Sequence, residues 1–256
     1  MQKQRFELKY FITEESALMV RDFVSSYLDF DEYSVGKPNY SYPVHSLYLD
    51  SDDLQLYWET INGNKNRYKL RLRYYSTHAD APVFFEIKRR VNNCIMKQRG
   101  GVRQDAVGTL LSGQLPQMEH LVSKSPNHLS ALQNFCRLSN TILARPKVHI
   151  YYMREAYVSD DDQVRVTIDR KVFGESNLNC AITTEMIEPS LAFPNQVILE
   201  LKFTNRFPDW FRELVRVFGV MQCGAAKYCE SVQSVGFKKL RAVYSVLEEP
   251  VHLARS

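Results

Sequence analysis

Charged and apolar residues alternate along segment after segment of this chain, and this period of two constrains the fold more than any other feature. In the first segment Arg5, Glu7 and Lys9 fall on one face of an extended backbone, while the residues between them are apolar. The same alternation returns in 69–74, 85–90, 164–169 and 199–203. Such alternation is typical of antiparallel strands with one apolar face. The sequence therefore predicts a β-rich fold whose second face carries mainly Arg and Lys.

Strand-like and helical segments follow one another along the whole chain. Strand patterns cover 5–12, 44–49, 68–75, 83–90, 94–102, 147–157, 165–169, 181–188 and 197–203. Helical patterns cover 13–28, 50–58, 104–143, 208–219, 225–235 and 236–247. Neither a Gly-x-Gly-x-x-Gly nor a P-loop motif occurs, which disfavours both nucleotide-binding α/β folds. We predict one α+β domain over 1–256, an antiparallel β-barrel of about eight strands with helices packed on the outside.

The charged face admits two interpretations. In a sandwich it would face water, but solvated faces usually mix Thr, Ser and Gln with Lys and Glu, whereas here Arg and Lys dominate. In a barrel it would line the interior, where packed like charges repel unless the space is wide, wet and meant for a polyanion. Arg and Lys would then bind phosphate oxygens. Four carboxylates would partly neutralise this wall and could hold Mg²⁺ or Mn²⁺: Glu7, Glu86, Asp169 and Glu200.

The composition says more about the cellular compartment of the protein than about its function. The formal net charge is only +4. The five cysteines contain no Cys-x-x-Cys pair, which disfavours a zinc knuckle or a disulfide scaffold and fits a reducing cytoplasm. No signal-peptide pattern or membrane-spanning apolar run is present, so we predict a cytoplasmic protein, with membrane association only through a partner protein. The run Lys88-Arg89-Arg90 is basic, but alternation places Arg89 opposite its neighbours, so we predict no nucleic-acid partner.

Eight motifs in this order resemble one known family. They are Arg5–Tyr10, Ser46–Asp50, Lys69–Tyr74, Phe85–Lys88, Tyr152–Tyr157, Val164–Asp169, Leu199–Phe203 and Ala226–Tyr228. The series resembles the VTC domain, the catalytic part of the vacuolar transporter chaperone complex and a member of the triphosphate tunnel metalloenzymes, which are relatives of the CYTH proteins. The resemblance spans nearly the whole chain and implies a triphosphate tunnel barrel.

The resemblance also implies an activity and its residues. A polyphosphate polymerase of this family transfers the γ-phosphate of ATP to a growing inorganic polyphosphate chain and releases the diphosphate, assisted by a divalent metal, often Mn²⁺. By motif matching, the catalytic residues would be Lys9, Arg71, Arg73, Lys88, Arg154 and Arg165. Further phosphate-binding residues would be Arg5, Lys69, Lys97, Arg99, Tyr152, Lys202 and Lys227. The metal would lie on Glu200, with Glu7 and Glu86 as further candidates.

Two departures from related patterns qualify this expectation. The CYTH-type hydrolases begin with Glu-x-Glu-x-Lys, and Arg5 stands here in the first acidic place, which favours the VTC branch over triphosphatases and cyclases. The VTC motif near the end usually reads Ser-Lys-Tyr, and Ala226 replaces the serine. Three functions stay open from the sequence: a polyphosphate polymerase, a hydrolase of triphosphate or nucleotides on the same tunnel, and a non-catalytic polyphosphate-binding module.

Overall fold

The computed structural model describes residues 5–92 and 94–241, and the side chain of Arg5 lies outside this description. The strands are β1 Arg5–Ile12, β2 Asp29–Phe30, β3 Ser41–Asp50, β4 Asn66–Tyr74, β5 Val83–Val91, β6 Cys94–Val102, β7 Arg145–Val158, β8 Val164–Ser176, β9 Ser190–Leu191 and β10 Val197–Thr204. The α-helices are α1 Glu14–Val24, α2 Gln55–Ile61, α3 Val107–Leu111, α4 Pro126–Thr141, α5 Asp209–Val217 and α6 Lys227–Val235.

The strands form one antiparallel sheet that curls round on itself. Their order is β2-β7-β3-β4-β5-β6-β1-β10-β8-β9, and β8 also pairs with β7. Eight strands therefore follow one another round a ring, while the two-residue strands β2 and β9 lie beside it. The link between β1 and β6 is thin, because a single residue pair joins them. This arrangement confirms the predicted α+β barrel, and we call its interior the tunnel.

Helices cover the outer face of the ring, as predicted. Helix α1 begins at Thr13, whose hydroxyl accepts the backbone N–H of Ser16, and Glu14 and Glu15 favour its positive N-terminus. Its buried face joins α5 in one apolar cluster against β1, β8 and β10. Helices α3 and α4 cover β4 and β5 in a second cluster, in which Phe135 packs against Phe85. Burial of the outer apolar face fixes which side chains face inward.

Helix α6 lies differently, against the tunnel-facing side of β7 and β8. Its residues share a buried cluster with Val148, Ile150 and Ile198, which alternate with outward-facing neighbours on their strands. The contact is close at Gly174, where a Cβ atom would stand 2.7 Å from the Cβ of Ser231. Glycine is therefore required by packing here, and it allows α6 to carry Lys227 into the tunnel.

Three elements differ from the sequence prediction. The predicted strand 181–188 is wrong, because the segment pairs with no strand of the described residues and the backbone N–H groups of Ile187 and Glu188 instead donate to the carboxylate of Glu175. The predicted helix over 104–143 is divided into α3, α4 and two short 3₁₀ turns. The predicted helix over 236–247 is a 3₁₀ turn at Phe237–Leu240 within the described residues, and 242–247 lie outside them.

Within the described ranges, no helix combines the length and the apolar character that a membrane span requires.

The packing of α6 yields a stability prediction. Gly174→Ala would force a Cβ atom against Ser231, so we expect it to lower the free energy of unfolding by about 1–3 kcal/mol. Ser231→Gly alone should cost about 0.5 kcal/mol through helix propensity. In the double variant the clash is absent, so the combined loss should be smaller than the sum of the single losses. Denaturant titrations of the four proteins measure this coupling, and strictly additive losses would contradict the packing argument.

Candidate functional site

The predicted basic residues converge on the tunnel from strands that are not neighbours. The Lys88 ammonium on β5 lies 2.9 Å from the Glu7 carboxylate on β1, and the Arg154 guanidinium on β7 lies 3.6 Å from Glu200 on β10. Both contacts skip a strand of the ring, β6 in the first case and β8 in the second. Side chains on flat, separate sheets could not make such contacts, so these charged faces line one shared interior.

Glu200 is the centre of the ion-pair network. Its carboxylate lies 2.6 Å from the Lys202 ammonium, 3.0 Å from Lys227 and 3.2 Å from Lys9, besides the longer contact with Arg154. Burial opposes its ionisation, but these four cations hold its pKa well below the ordinary value. The side chain is thus an anion whose neighbours carry more positive charge than it can balance.

Asp169 completes this cluster on β8. Both of its carboxylate oxygens accept hydrogen bonds of 2.7 Å from Arg154, and the Lys227 ammonium lies 2.7 Å away. The sequence alternation placed Asp169 among the four carboxylates of the charged face that could hold a divalent cation, whereas motif matching left it out of the metal site. Its paired contacts fix the guanidinium of Arg154, which also lies 5.2 Å over the ring of Tyr152.

Glu86 organises the opposite wall. It accepts a hydrogen bond of 2.8 Å from Arg71 Nε, and the Lys97 ammonium lies 2.7 Å away. Arg73 is held differently: its Nη2 donates to the Tyr152 hydroxyl at 2.9 Å, and Glu86 is 4.0 Å distant. Among the described residues the buried Arg73 Nε has no hydrogen-bond acceptor. Arg73 therefore offers a donor that a phosphate oxygen could satisfy.

The tunnel wall carries more positive than negative charge. In residues 5–92 and 94–241, nine basic side chains face its middle: Lys9, Lys69, Arg71, Arg73, Lys88, Lys97, Arg154, Lys202 and Lys227. Four carboxylates oppose them: Glu7, Glu86, Asp169 and Glu200.

Burial destabilises the charged form of two lysines in the tunnel wall. Burial lowers the pKa of Lys69 to about 8, with repulsion from Lys9 and Lys88 adding to the effect, and no carboxylate of the described chain forms an ion pair with Lys69. Burial likewise lowers the pKa of Lys202 to about 8 despite its contact with Glu200. An anion that enters the tunnel would stabilise the charged form of both groups.

One end of the tunnel is aromatic. Tyr33, Tyr42, Tyr75 and Phe84 lie with ring centroids 6.0–6.4 Å apart, and we call this group the aromatic end. Tyr75 directly follows β4, and Phe84 is paired with Arg73, so both continue the tunnel-facing rows of their strands. The planes of Tyr33 and Tyr75 are within 3° of parallel, and the two residues are 62% and 42% exposed.

Two of the predicted basic residues belong to this end rather than to the middle. The Arg165 guanidinium lies 2.5 Å from the carboxylate of Asp31, and the Arg99 guanidinium lies 4.7 Å over the ring of Phe84. Neither lies within ion-pair distance of the four central carboxylates. Sequence alternation found both faces correctly, but it missed Tyr33, which lies in a loop where no periodic pattern exists.

The carboxylates suit a divalent cation shared with phosphate. Glu7 and Glu200 flank the Lys9 ammonium at 3.4 and 3.2 Å, so a cation already bridges them. No group of three or more His, Cys, Asp or Glu side chains within residues 5–92 and 94–241 is placed to hold a metal ion. Mg²⁺ is usually held by one or two carboxylates together with substrate phosphates, and these two carboxylates fit that role.

A comparison with protein-family profiles finds a match over nearly the whole chain. The profile described as the VTC domain matches residues 4–236. No curated protein sequence matches the chain.

Solved structures with a similar course of the chain include two with long alignments. The PH1819 protein from Pyrococcus horikoshii is 12% identical with a TM-score of 0.46, over 90% of this chain and 98% of that one. A putative adenylyl cyclase from Hippeastrum, HpAC1, reported with a dominant triphosphatase activity, is 13% identical with a TM-score of 0.45, over 90% of this chain and 95% of that one. The family assignment rests on the VTC profile alone.

The lowered lysine pKa values predict proton uptake on ligand binding. At pH 8.5 a large fraction of Lys69 and Lys202 is neutral in the free protein, and bound tripolyphosphate should restore the charge. At pH 6 both are already charged, so uptake should vanish or reverse. Calorimetry in two buffers of different ionisation enthalpy measures the proton count. Lys69→Met should reduce uptake at pH 8.5, and equal counts at both pH values would contradict the assignment.

Proposed function

This chain belongs to the VTC domain family, and we propose that it is a polyphosphate polymerase. The observation that carries the proposal is the excess of cations over carboxylates in one shared tunnel, which suits a linear polyanion. In the reaction, a terminal phosphate oxygen of the polyphosphate chain attacks the γ-phosphorus of a nucleoside triphosphate. The bond from that phosphorus to the β–γ bridging oxygen breaks, and the nucleoside diphosphate leaves with that oxygen.

The tunnel would promote this transfer by alignment and charge neutralisation. Phosphoryl transfer needs the attacking and leaving oxygens in line and stabilisation of the charge on the transferring group. Arg73 offers its spare Nε donor, and the guanidinium groups of Arg71 and Arg154 are held rigidly by Glu86 and Asp169. The acceptor is already an anionic oxygen, so we assign no general base.

The lysines around Glu200 would exchange partners during binding. Lys9, Lys202 and Lys227 share one carboxylate in the free protein, so each can turn part of its hydrogen-bonding capacity to phosphate oxygens. This exchange would leave Glu200 and Glu7 available to a divalent cation, Mn²⁺ or Mg²⁺. Such an ion, when bound, would bridge nucleotide phosphates and neutralise charge on them.

The aromatic end supports a nucleotide, rather than bare triphosphate, as the phosphate donor. Bases stack on aromatic side chains whatever their sequence, and Tyr33 and Tyr75 present two parallel, exposed rings. Arg165 and Arg99 lie at the same end, where they could contact the phosphates next to the nucleoside. A nucleotide held there would extend its triphosphate toward Arg73, which is paired with Phe84 on the neighbouring strand.

The proposed activity has a direct test in Glu200→Gln. With ATP and Mn²⁺, we expect the wild-type protein to produce ADP and long polyphosphate chains with little free phosphate. Glu200→Gln should lower turnover at least about a hundredfold, because the metal loses its main carboxylate, yet keep tripolyphosphate binding, because the surrounding cations stay. Product analysis and calorimetry provide the two readouts.

The other outcomes identify the rival functions. Free phosphate in place of chains would identify a hydrolase, and tight binding without either product would identify a non-catalytic binding module. Unchanged turnover in Glu200→Gln would remove Glu200 from the metal site and leave Glu7 and Glu86 as candidates.

A second prediction separates nucleotide from triphosphate recognition. Tyr33→Ala and Tyr75→Ala should each weaken ATP binding about five- to a hundredfold, because each removes a base-stacking surface. Tripolyphosphate binding should change less than about twofold. Tyr27→Ala is the matched control, since Tyr27 is similarly exposed but stacks on Trp210 on the outer helices. Equal weakening of ATP and tripolyphosphate would mean that the aromatic end supports the tunnel wall and does not bind the base.

A further inference from the structure

A group of basic residues lies outside the ion-pair network, at the end of β4 and β5 away from the aromatic end. It surrounds a cavity of about 510 Å³. We call this the basic end pocket, and its lining residues are Gly63, Lys65, Arg67, Arg90 and Asn92. No acidic side chain of residues 5–92 or 94–241 belongs to this lining. Nothing in the sequence motifs drew attention to Lys65 or Arg67.

The basic end pocket continues the tunnel-facing rows of two strands. Arg67 is two residues before Lys69 and four before Arg71, and in a strand such residues share a face. Arg90 likewise shares the face of Lys88 and stands directly opposite Arg67 in the register. At about 3.3 Å per residue, Arg67 lies roughly 13 Å along the strand from Arg71. One triphosphate is too short to contact both positions while bound at Arg73.

The electrostatics of this pocket differ from those of the tunnel centre. Like charges directly opposite each other on neighbouring strands are destabilising, and Arg67 and Arg90 form such a pair. Their guanidinium groups donate to the backbone carbonyls of Asn64 and Asn92. In the part of the chain that the structure describes, neither they nor Lys65 form an ion pair with an acidic side chain. The centre carries its own carboxylates, whereas the described residues that line this end include none.

From these observations we propose that the basic end pocket binds the inorganic polyphosphate chain beyond the segment held at the tunnel centre. The proposal rests on the proposed function and gives it a direction: the nucleotide binds at the aromatic end, and the growing chain extends past Lys69 toward Arg67 and Arg90. The substrate is therefore a chain longer than the triphosphate that the central residues contact. The described residues of the lining include no aromatic ring on which a base could stack, which favours polyphosphate over a nucleic-acid strand.

The test compares ligands of two lengths on variants of matched charge. In calorimetry at near-physiological salt, the double variant Arg67→Gln/Arg90→Gln should weaken binding of polyphosphate of several tens of units about ten- to a hundredfold. Tripolyphosphate binding should change less than about threefold. The control is Arg89→Gln/Arg137→Gln, which removes the same charge from the outer face, where both groups lie close to Tyr68. This control should leave both affinities within about twofold.

The remaining outcomes overturn the proposal. Equal weakening of both ligands would make the pocket part of the triphosphate site, and no weakening of the long chain would exclude the pocket from chain binding. Equal losses in the outer-face control would indicate diffuse attraction. Tighter binding of a single-stranded RNA than of polyphosphate, lost in Arg67→Gln/Arg90→Gln, would assign the pocket to nucleic acid.

Failure of the proposed function is distinguishable from failure of this inference. If the wild-type protein binds neither ligand, the tunnel does not hold phosphate and both fail. If it binds both and Arg73→Ala weakens both, the tunnel centre is established whatever the end-pocket variant does. Arg67 and Arg90 form no ion pairs within the described residues, so their substitution should leave the thermal unfolding midpoint within a few degrees, which verifies that the variant is folded.

Discussion

Mutual repulsion among buried cations is the constraint on which the rest of this structure depends. Opposite charges a few ångströms apart attract far more strongly inside a protein than in water, and like charges repel as strongly. Glu200 is fully ionised among four cations, and Glu86 is completely buried between Arg71 and Lys97. These carboxylates balance part of the buried positive charge of the tunnel wall. Removing one would leave buried cations unpaired, a change that typically costs several kcal/mol.

The same carboxylates determine how a ligand is received. A phosphate chain that entered the tunnel would not meet a bare basic channel, because it would compete with Glu7 and Glu200 for ammonium groups that are already held in place. The competition would lower the net affinity, but Lys9 and Lys202 would be oriented before binding, which would reduce the ordering cost. The outer apolar clusters and the close contact at Gly174 supply the rigidity that this arrangement requires.

The sequence predicted correctly which side chains share a face of a strand, because strand geometry alone decides this. Alternation sends Arg71, Arg73 and Lys88 to one face, and burial of the other face fixes which one faces inward. The ion-pair partners of these side chains could not be predicted, because the contact of Lys88 with Glu7 depends on the curl of the whole ring. The segment 181–188 shows the opposite failure: its alternation is strand-like, but the side-chain carboxylate of Glu175 accepts the backbone N–H groups of Ile187 and Glu188.

The two ends of the tunnel differ, because the groups that compensate the basic side chains change along its length. Near Tyr75 the basic residues are moderated by Asp31 and by aromatic rings, and in the middle by four carboxylates. Beyond Lys69 the described lining residues supply no further carboxylate, although the row of cations continues to Arg67. A polyanion that extended along this path would pass from the segment shared with four carboxylates to Lys65, Arg67 and Arg90, which form no ion pairs among the described residues. These cations would attract the part of a phosphate chain that reaches past the central site, which is the direction we propose for the growing chain.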